Sequence, residues 1–346
     1  MRDVDVAVVG AGVMGSATAR ALARAGRETI VLEQFHVGHT RGSSHGRSRI
    51  FRFSYHDERF VRMAVDALPL WRELEGEAGE RLLTVTGGID TGKALEDHAT
   101  AMSASGVRYE WLDGDEALRR YPGLRLSPGA AALFQQDAGW VAADAAVRAL
   151  ARSATRHGAE LLEGRRVRSL HPQDGGVLLE TDDGSYRAAV AVVTAGSWAR
   201  DLVAPLGIEL PTRSTRETVA YFRVPDEEAI PSLVDWGDPA LYSLRSPDQG
   251  LKVGQHQAGP TTDPDREGEV SEESVARLSA WVKERYPDAD PNPHLAETCL
   301  YTIAPGDEFI LERRGAVVVG SPCSGHGFKF APLIGQRLAG LAMAAA

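Results

Sequence analysis

Lys252 is one of only four lysines in a chain that otherwise carries its positive charge on arginine. It stands in Gly250-Leu251-Lys252-Val253-Gly254-Gln255-His256, which reads as a strand with Lys252, Gly254 and His256 on one face. Lysine is seldom buried without purpose, so that face offers a fixed cation beside a titratable ring. In Glu297-Thr298-Cys299-Leu300-Tyr301-Thr302 the same alternation puts a thiol, Cys299, with a phenol, Tyr301. Ser324-Gly325-His326-Gly327-Phe328-Lys329-Phe330 is a glycine turn entering the last helix. A cofactor ring or a substrate anion could sit on its His and Lys. Arg49 and Arg52 flank the apolar pair Ile50-Phe51. Three apart, they would share one face of a helical turn, and buried arginine suits carboxylate recognition. Cys299 and Cys323 are the only cysteines, and no CxxC or Cys/His spacing points to a metal.

Residues this far apart need a scaffold that returns to one place, and the first thirty-three residues begin it. Val4-Asp5-Val6-Ala7-Val8-Val9 reads as a buried strand, and Gly10-Ala11-Gly12-Val13-Met14-Gly15 opens a helix over 16–25. A second buried strand, Thr29-Ile30-Val31-Leu32, ends on Glu33. Gly10 makes the tight turn, Gly12 admits a pyrophosphate, and Gly15 brings helix against strand. The helix N-terminus offers free N–H groups to phosphate, and Glu33 stands where a carboxylate accepts from a ribose hydroxyl. Strand, loop, helix, strand and acid in this order predict dinucleotide binding.

The loop Gly38-His39-Thr40-Arg41-Gly42-Ser43-Ser44-His45-Gly46 is too rich in donors and glycine for a core element, so it could wrap the cofactor. An amphipathic helix follows over 57–75, then short strands at 82–85 and 108–112 with polar helices near 95–103 and 115–121. A helix over 142–155, strands at 160–162, 165–170, 176–181 and 188–193, and the small-residue turn Thr194-Ala195-Gly196-Ser197-Trp198 return the chain to the nucleotide fold. Strands at 218–224 and 240–244, an acidic helical segment over 267–290 and a buried strand at 316–319 complete the pattern.

The expected class is α/β (α+β). A discontinuous Rossmann-type dinucleotide-binding domain over 1–76, 138–215 and 295–346 holds an inserted substrate domain over 77–137 and 216–294. A chain of 346 residues suits about two domains. Its 43% hydrophobic content, without an apolar run near eighteen residues, argues against a membrane span. A formal charge of -10 argues against nucleic acid or an anionic membrane as partner. Sparse cysteine and the absence of a leader pattern fit a cytoplasmic protein.

GAGVMG with Glu33, GSSHGRSRIFR, TAGSW, GLKVGQH, CLYT and SGHGFKF occur in one order along almost the whole chain. In this the sequence resembles the flavoprotein amine oxidases typified by monomeric sarcosine oxidase and N-methyltryptophan oxidase. The resemblance implies that the Rossmann-type domain is an FAD-binding domain, that the inserted substrate domain is built on a mixed β-sheet, and that the reaction is oxidation of a secondary or primary amine beside a carboxylate. Hydride would pass to flavin N5, and O2 would become hydrogen peroxide. It implies that Cys299 tethers the flavin and that Lys252 promotes reaction with dioxygen. Arg52 and Lys329 would grip the substrate carboxylate, Arg49 would lie against the flavin, and His256, Tyr242 and Tyr301 would line the pocket. The Gly325 carbonyl would receive the amine, while His326, Gly327 and Lys329 border the flavin ring. Cofactor contacts would also come from Gly10, Gly12, Met14, Gly15, Glu33, Gln34, Arg41, Ser43, Ser44, Val167, Ala195, Gly196 and Trp198. A monomer acting on a small amino acid is implied.

Arg245 and Gln255 are more polar than the family pattern, which bears on the substrate. Alternatives are a same-fold dehydrogenase with a non-oxygen acceptor, an oxidase of cyclic imino or sugar-modified amino acids, and a non-catalytic dinucleotide-binding module.

Overall fold

The strand Arg2–Val9 runs between Gly184–Val193 and Thr29–Glu33, parallel to both. The computed structural model describes residues 2–127, 129–225 and 230–344; residues 1, 128, 226–229, 345 and 346, which fall within the two expected domains, lie outside it. Parallel strands covered on both faces need continuous apolar runs, and Val6, Ala7, Val8, Ile30, Val31 and Leu32 are buried accordingly. Glu160–Glu163 extends this sheet beyond Thr29–Glu33. Val317–Ser321 joins Gly184–Val193 in parallel, and an antiparallel ribbon, Val167–Gln173 with Gly176–Thr181, pairs with the other part of that long strand. On one face the helices Val13–Arg24, Ala143–Arg156 and Ala331–Met343 pack together. Small residues bring two of them close: a Cβ at Gly335 would stand 2.5 Å from the Ala17 carbonyl carbon.

A second sheet follows the order Leu295–Ile303, Arg213–Phe222, Gly250–Gln255, Leu241–Ser246, Ser232–Trp236, Gly88–Gly92, Ala132–Gln135 and Glu110–Leu112. It is mixed, since Ser232–Trp236 runs parallel to Gly88–Gly92 while its other ladders are antiparallel. Leu251 and Val253 pack with Leu278, Trp281 and Val282 of the helix Glu272–Arg285. The alternate residues Lys252 and His256 therefore turn to the opposite side, which faces a large cavity. Leu295–Ile303, which the expected division gives to the nucleotide domain, is hydrogen-bonded into this second sheet.

Five stretches differ from expectation. Arg49 lies in an extended strand, Ser48–Phe51, with Arg52 just beyond it, not on a helical turn. Ile50 and Phe51 complete a ladder with Trp140 and Gly139, and extension sends Arg49 and Arg52 in different directions. The acidic helix shortens to Glu272–Arg285 because the Ser271 side chain caps it by accepting from the Ser274 N–H. The strands Gly88–Gly92, Ser232–Trp236 and Ile310–Arg314 lack clean alternation in sequence and exist through their sheet partners. No helix among the described residues is long and apolar enough to cross a membrane.

Candidate active site

One cavity of about 450 Å³ is lined continuously from the glycine loop to the Ser324–Lys329 turn. At the loop, Gly10 has φ 94°, and a Cβ there would meet the Thr194 carbonyl oxygen at 2.9 Å. A Cβ on Gly15 would stand 1.8 Å from the Gly10 oxygen, so this glycine serves helix packing and does not line the cavity. Gly12 faces the Ser44 hydroxyl, which accepts from the Val13 N–H at 3.1 Å. Glu33 is buried and accepts from the N–H groups of Ala11 at 2.7 Å and Phe35 at 2.8 Å. Each carboxylate oxygen retains a lone pair, and the residue borders the cavity, so a ribose hydroxyl remains within its capacity.

Met14, Gln34, Ser43, Val167, Ala195, Gly196 and Trp198 line the same cavity. Arg41 does not: its guanidinium lies 5.3 Å from the Phe35 ring and donates to the Asp265 carbonyl at 3.1 Å. Asp265 also accepts from Trp198 Nε1 at 2.7 Å and from Arg166 at 2.9 Å. Asp263, Pro264, Asp265, Arg165, Arg166 and Arg168 are therefore wall residues that sequence reading missed. They meet across some hundred residues of chain with no shared motif to betray it.

The other wall holds the chemistry-bearing stretches. Arg49 donates to the carbonyls of Ser48 at 2.9 Å, Ser43 at 2.9 Å and His45 at 2.6 Å, fastening the serine loop from inside. Cys299 is 6% exposed, and burial raises its thiol pKa against the opposing charges of Arg49 and Lys252. Lys252 is fully enclosed, and burial, followed by the charge of Arg49, lowers its pKa to about 7. Tyr221, whose hydroxyl donates to Glu297, holds its ring 5.6 Å from the Lys252 ammonium. Burial likewise lowers His45 to about 3 and His256 to about 4, so both rings are neutral. Tyr242 and Tyr301 are kept protonated, chiefly by burial. A side chain at Gly254 would overlap the Tyr242 hydroxyl, and one at Gly325 would overlap the Tyr301 ring. Gln255 is buried and Arg245 lies 6.0 Å from the Trp140 ring; neither borders the cavity.

Arg52 and Lys329 converge on Tyr55. The guanidinium lies 4.1 Å from the Tyr55 ring centroid, and Lys329 Nζ donates to the Tyr55 hydroxyl and the His326 carbonyl, each at 2.8 Å. Both cations are buried and face the cavity, and Arg52 Nη1 has no hydrogen-bond partner among the described residues. Burial first, then Arg52, pulls the Lys329 pKa well below its usual range. His326 Nε2 lies 3.2 Å from the Asp307 carbonyl, and its Nδ1 lies 3.3 Å from the Tyr55 hydroxyl. Nε2 must then carry the proton, leaving Nδ1 to accept from Tyr55. Trp71 Nε1 donates to the Lys329 carbonyl at 2.7 Å and holds the turn from behind.

The residues present fit a flavin dinucleotide. The loop offers backbone N–H groups at a helix start, and His45 Nε2 and Arg52 Nη1 are buried in the lining without a partner among the described residues. The glycine cradle between strand and helix, with Glu33 at the end of the next strand, defines a Rossmann-type dinucleotide protein. The chain belongs to the FAD dependent oxidoreductase family, whose model matches residues 5–341.

It is 34% identical to the peroxisomal sarcosine oxidase of Homo sapiens, over 98% of this chain and 92% of that one. Identity to the monomeric sarcosine oxidase of Bacillus sp. (strain B-0618) is 31%, over 98% and 92%. Among solved structures, the open form of NikD, an unusual amino acid oxidase essential for nikkomycin biosynthesis, superposes with a TM-score of 0.90. That chain is 30% identical, and the match covers 99% of this chain and 94% of NikD.

Proposed function

We propose that this protein oxidises the C–N bond of an N-methyl or other secondary amino acid, using FAD and passing the electrons to dioxygen. The observation that carries the reading is the pair Arg52 and Lys329, both buried and lining the cavity that also holds the glycine cradle, with Arg52 Nη1 unpartnered among the described residues. Two cations answer a carboxylate, and clamping that end fixes the amine and its α-carbon in one orientation. The carbonyl of Gly325 borders the same space and can accept from a neutral amine, leaving its lone pair free. His256, His326, Tyr242 and Tyr301, all held neutral by burial, add no charge that would compete for the substrate.

The flavin supplies hydride acceptance and reduction of dioxygen to peroxide. Cys299, a buried thiol in the lining, would tether it. Arg49 would hold its serine-loop side, and Lys252 would provide the cation that favours charge developing on oxygen. Ile50, Val234, Trp236, Leu241 and Leu244 give the cavity an apolar side, which suits a methylated or cyclic amine. Two free cysteines fit a reducing compartment such as the cytoplasm, and similarity to a monomeric sarcosine oxidase supports a monomer.

Mixing the yellow protein with N-methyl, cyclic imino and sugar-modified amino acids under argon tests this. Bleaching of the flavin by a carboxylated secondary amine, with peroxide after air is admitted, is the expected outcome. Bleaching without peroxide would favour a dehydrogenase; no bleaching with any amine would remove the enzymatic reading.

A further inference from the structure

Asp90 lies in Gly88–Gly92, outside the cavity lining, and is 1% exposed. A carboxylate so deeply buried is costly unless its oxygens are satisfied. Burial raises its pKa on balance, while the Arg52 charge and then hydrogen bonds from Ser54, Trp236 and Gln135 pull against that rise. Trp236 Nε1 donates to one oxygen at 2.8 Å and Gln135 Nε2 to the other at 2.6 Å. The Gln135 amide cannot be turned round, because its own oxygen accepts from the N–H groups of Phe53 at 2.7 Å and Ser54 at 2.9 Å. An indole N–H and an amide NH2 can only donate, so these partners select the ionised carboxylate.

Gln135 and Trp236 each also act on Arg52. Gln135 pins the two backbone N–H groups that immediately follow Arg52 in the chain. The Trp236 ring lies 5.1 Å from the guanidinium, which Tyr55 approaches at 4.1 Å. Arg52 is left lining the cavity, its Nη1 without a partner among the described residues.

We propose that Asp90, acting through Gln135 and Trp236, is the positioning residue that holds Arg52 preorganised for the substrate carboxylate. The proposal rests on the amino-acid-oxidase reading of the cavity. Holding a flexible arginine in its binding rotamer before the anion arrives removes an ordering cost that would otherwise weaken binding.

The test measures acetate binding to the yellow holoenzyme by flavin absorbance and tryptophan fluorescence, with KM and kcat for an amine found in the bleaching screen. Asp90→Asn sets a second donor against Gln135 or Trp236, and the acetate Kd and the KM should each rise about tenfold while kcat stays within about threefold. In Asp90→Asn with Gln135→Glu, the carboxylate now at position 135 accepts from the amide introduced at position 90 and from both backbone groups. Donor–acceptor order and the single negative charge return, so affinity should recover to within about threefold of the parent. Should Asp90→Asn not fold, Trp236→Phe keeps an aromatic ring and removes the N–H, with an expected rise of about threefold.

Unchanged acetate affinity in these variants while Arg52→Met binds weakly would overturn the brace alone, as would a double variant no better than Asp90→Asn. If Arg52→Met binds acetate as well as the parent does, the underlying reading falls and takes the brace with it.

Discussion

Replacing Lys252 by methionine should stabilise the flavin-free chain and, in the holoenzyme, slow reaction with oxygen. The ammonium is fully enclosed, and burial with the Arg49 charge moves its pKa from 10.5 to about 7. Cys299, Glu297 and Asp144 oppose that shift without reversing it. The difference, 10.5 − 7 or about 3.5 units, corresponds to about 5 kcal/mol at about 1.4 kcal/mol per unit. Because the folded pKa lies below the unfolded one, the full cost applies below pH 7. It fades as pH rises from about 7 to 10.5 and is absent above that window.

Urea unfolding of a Cys299→Ala protein stripped of flavin, with and without Lys252→Met, measures the gap directly. The variant should be more stable by about 4 kcal/mol at pH 7 and by about 1 kcal/mol at pH 9.5. A gap that does not change with pH, or a variant less stable at pH 7, would refute the reasoning. In the holoenzyme the same substitution should leave reduction by the amine under argon at the parent rate and slow reoxidation by air at least a hundredfold, on the order of what one lost electrostatic group costs. Peroxide formation at full rate would remove Lys252 from the oxygen step. A residue that costs stability where it stands is expected at a site selected for activity.

Acid precipitation should leave the flavin colour in the pellet of the parent protein and release it to the supernatant from Cys299→Ser; colour released from the parent would exclude the tether. Gly15→Ala puts a methyl 1.8 Å from the Gly10 oxygen and 2.7 Å from Thr194 Oγ1, so the phosphate loop must move. It should cost about 3 kcal/mol or more and empty the protein of flavin, read by unfolding and by the absorbance ratio. Gly340→Ala, on the helix Ala331–Met343 with no atom within 4 Å, is the control and should gain up to about 1 kcal/mol.

The strand, glycine loop, helix and acid between Val4 and Glu33 are legible because each depends on near neighbours in the chain. A turn requires Gly10, a close packing requires Gly15, and a buried parallel strand requires its apolar run. Alternation alone puts Lys252 with His256 and Cys299 with Tyr301, since a period of two is a property of any extended chain. Arg49 and Arg52 mark the limit of such local rules: their spacing suits a helical turn, but Ile50 and Phe51 find a strand partner in Gly139–Ala142, remote in sequence. Asp90, Gln135, Trp236 and Tyr55 carry no motif. Their roles appear only when three separate segments meet around one guanidinium.

The sequence by itself therefore determined the cofactor cradle and the set of reactive side chains, because local backbone geometry and side-chain type are encoded residue by residue. Tertiary structure alone decided that those side chains share one cavity and which of them are stripped of water. It also decided that Arg52 Nη1 is left without a partner among the described residues. Burial and counter-charge belong to the neighbours a fold assembles, and it is these that turn a lysine, an arginine and a cysteine into a site.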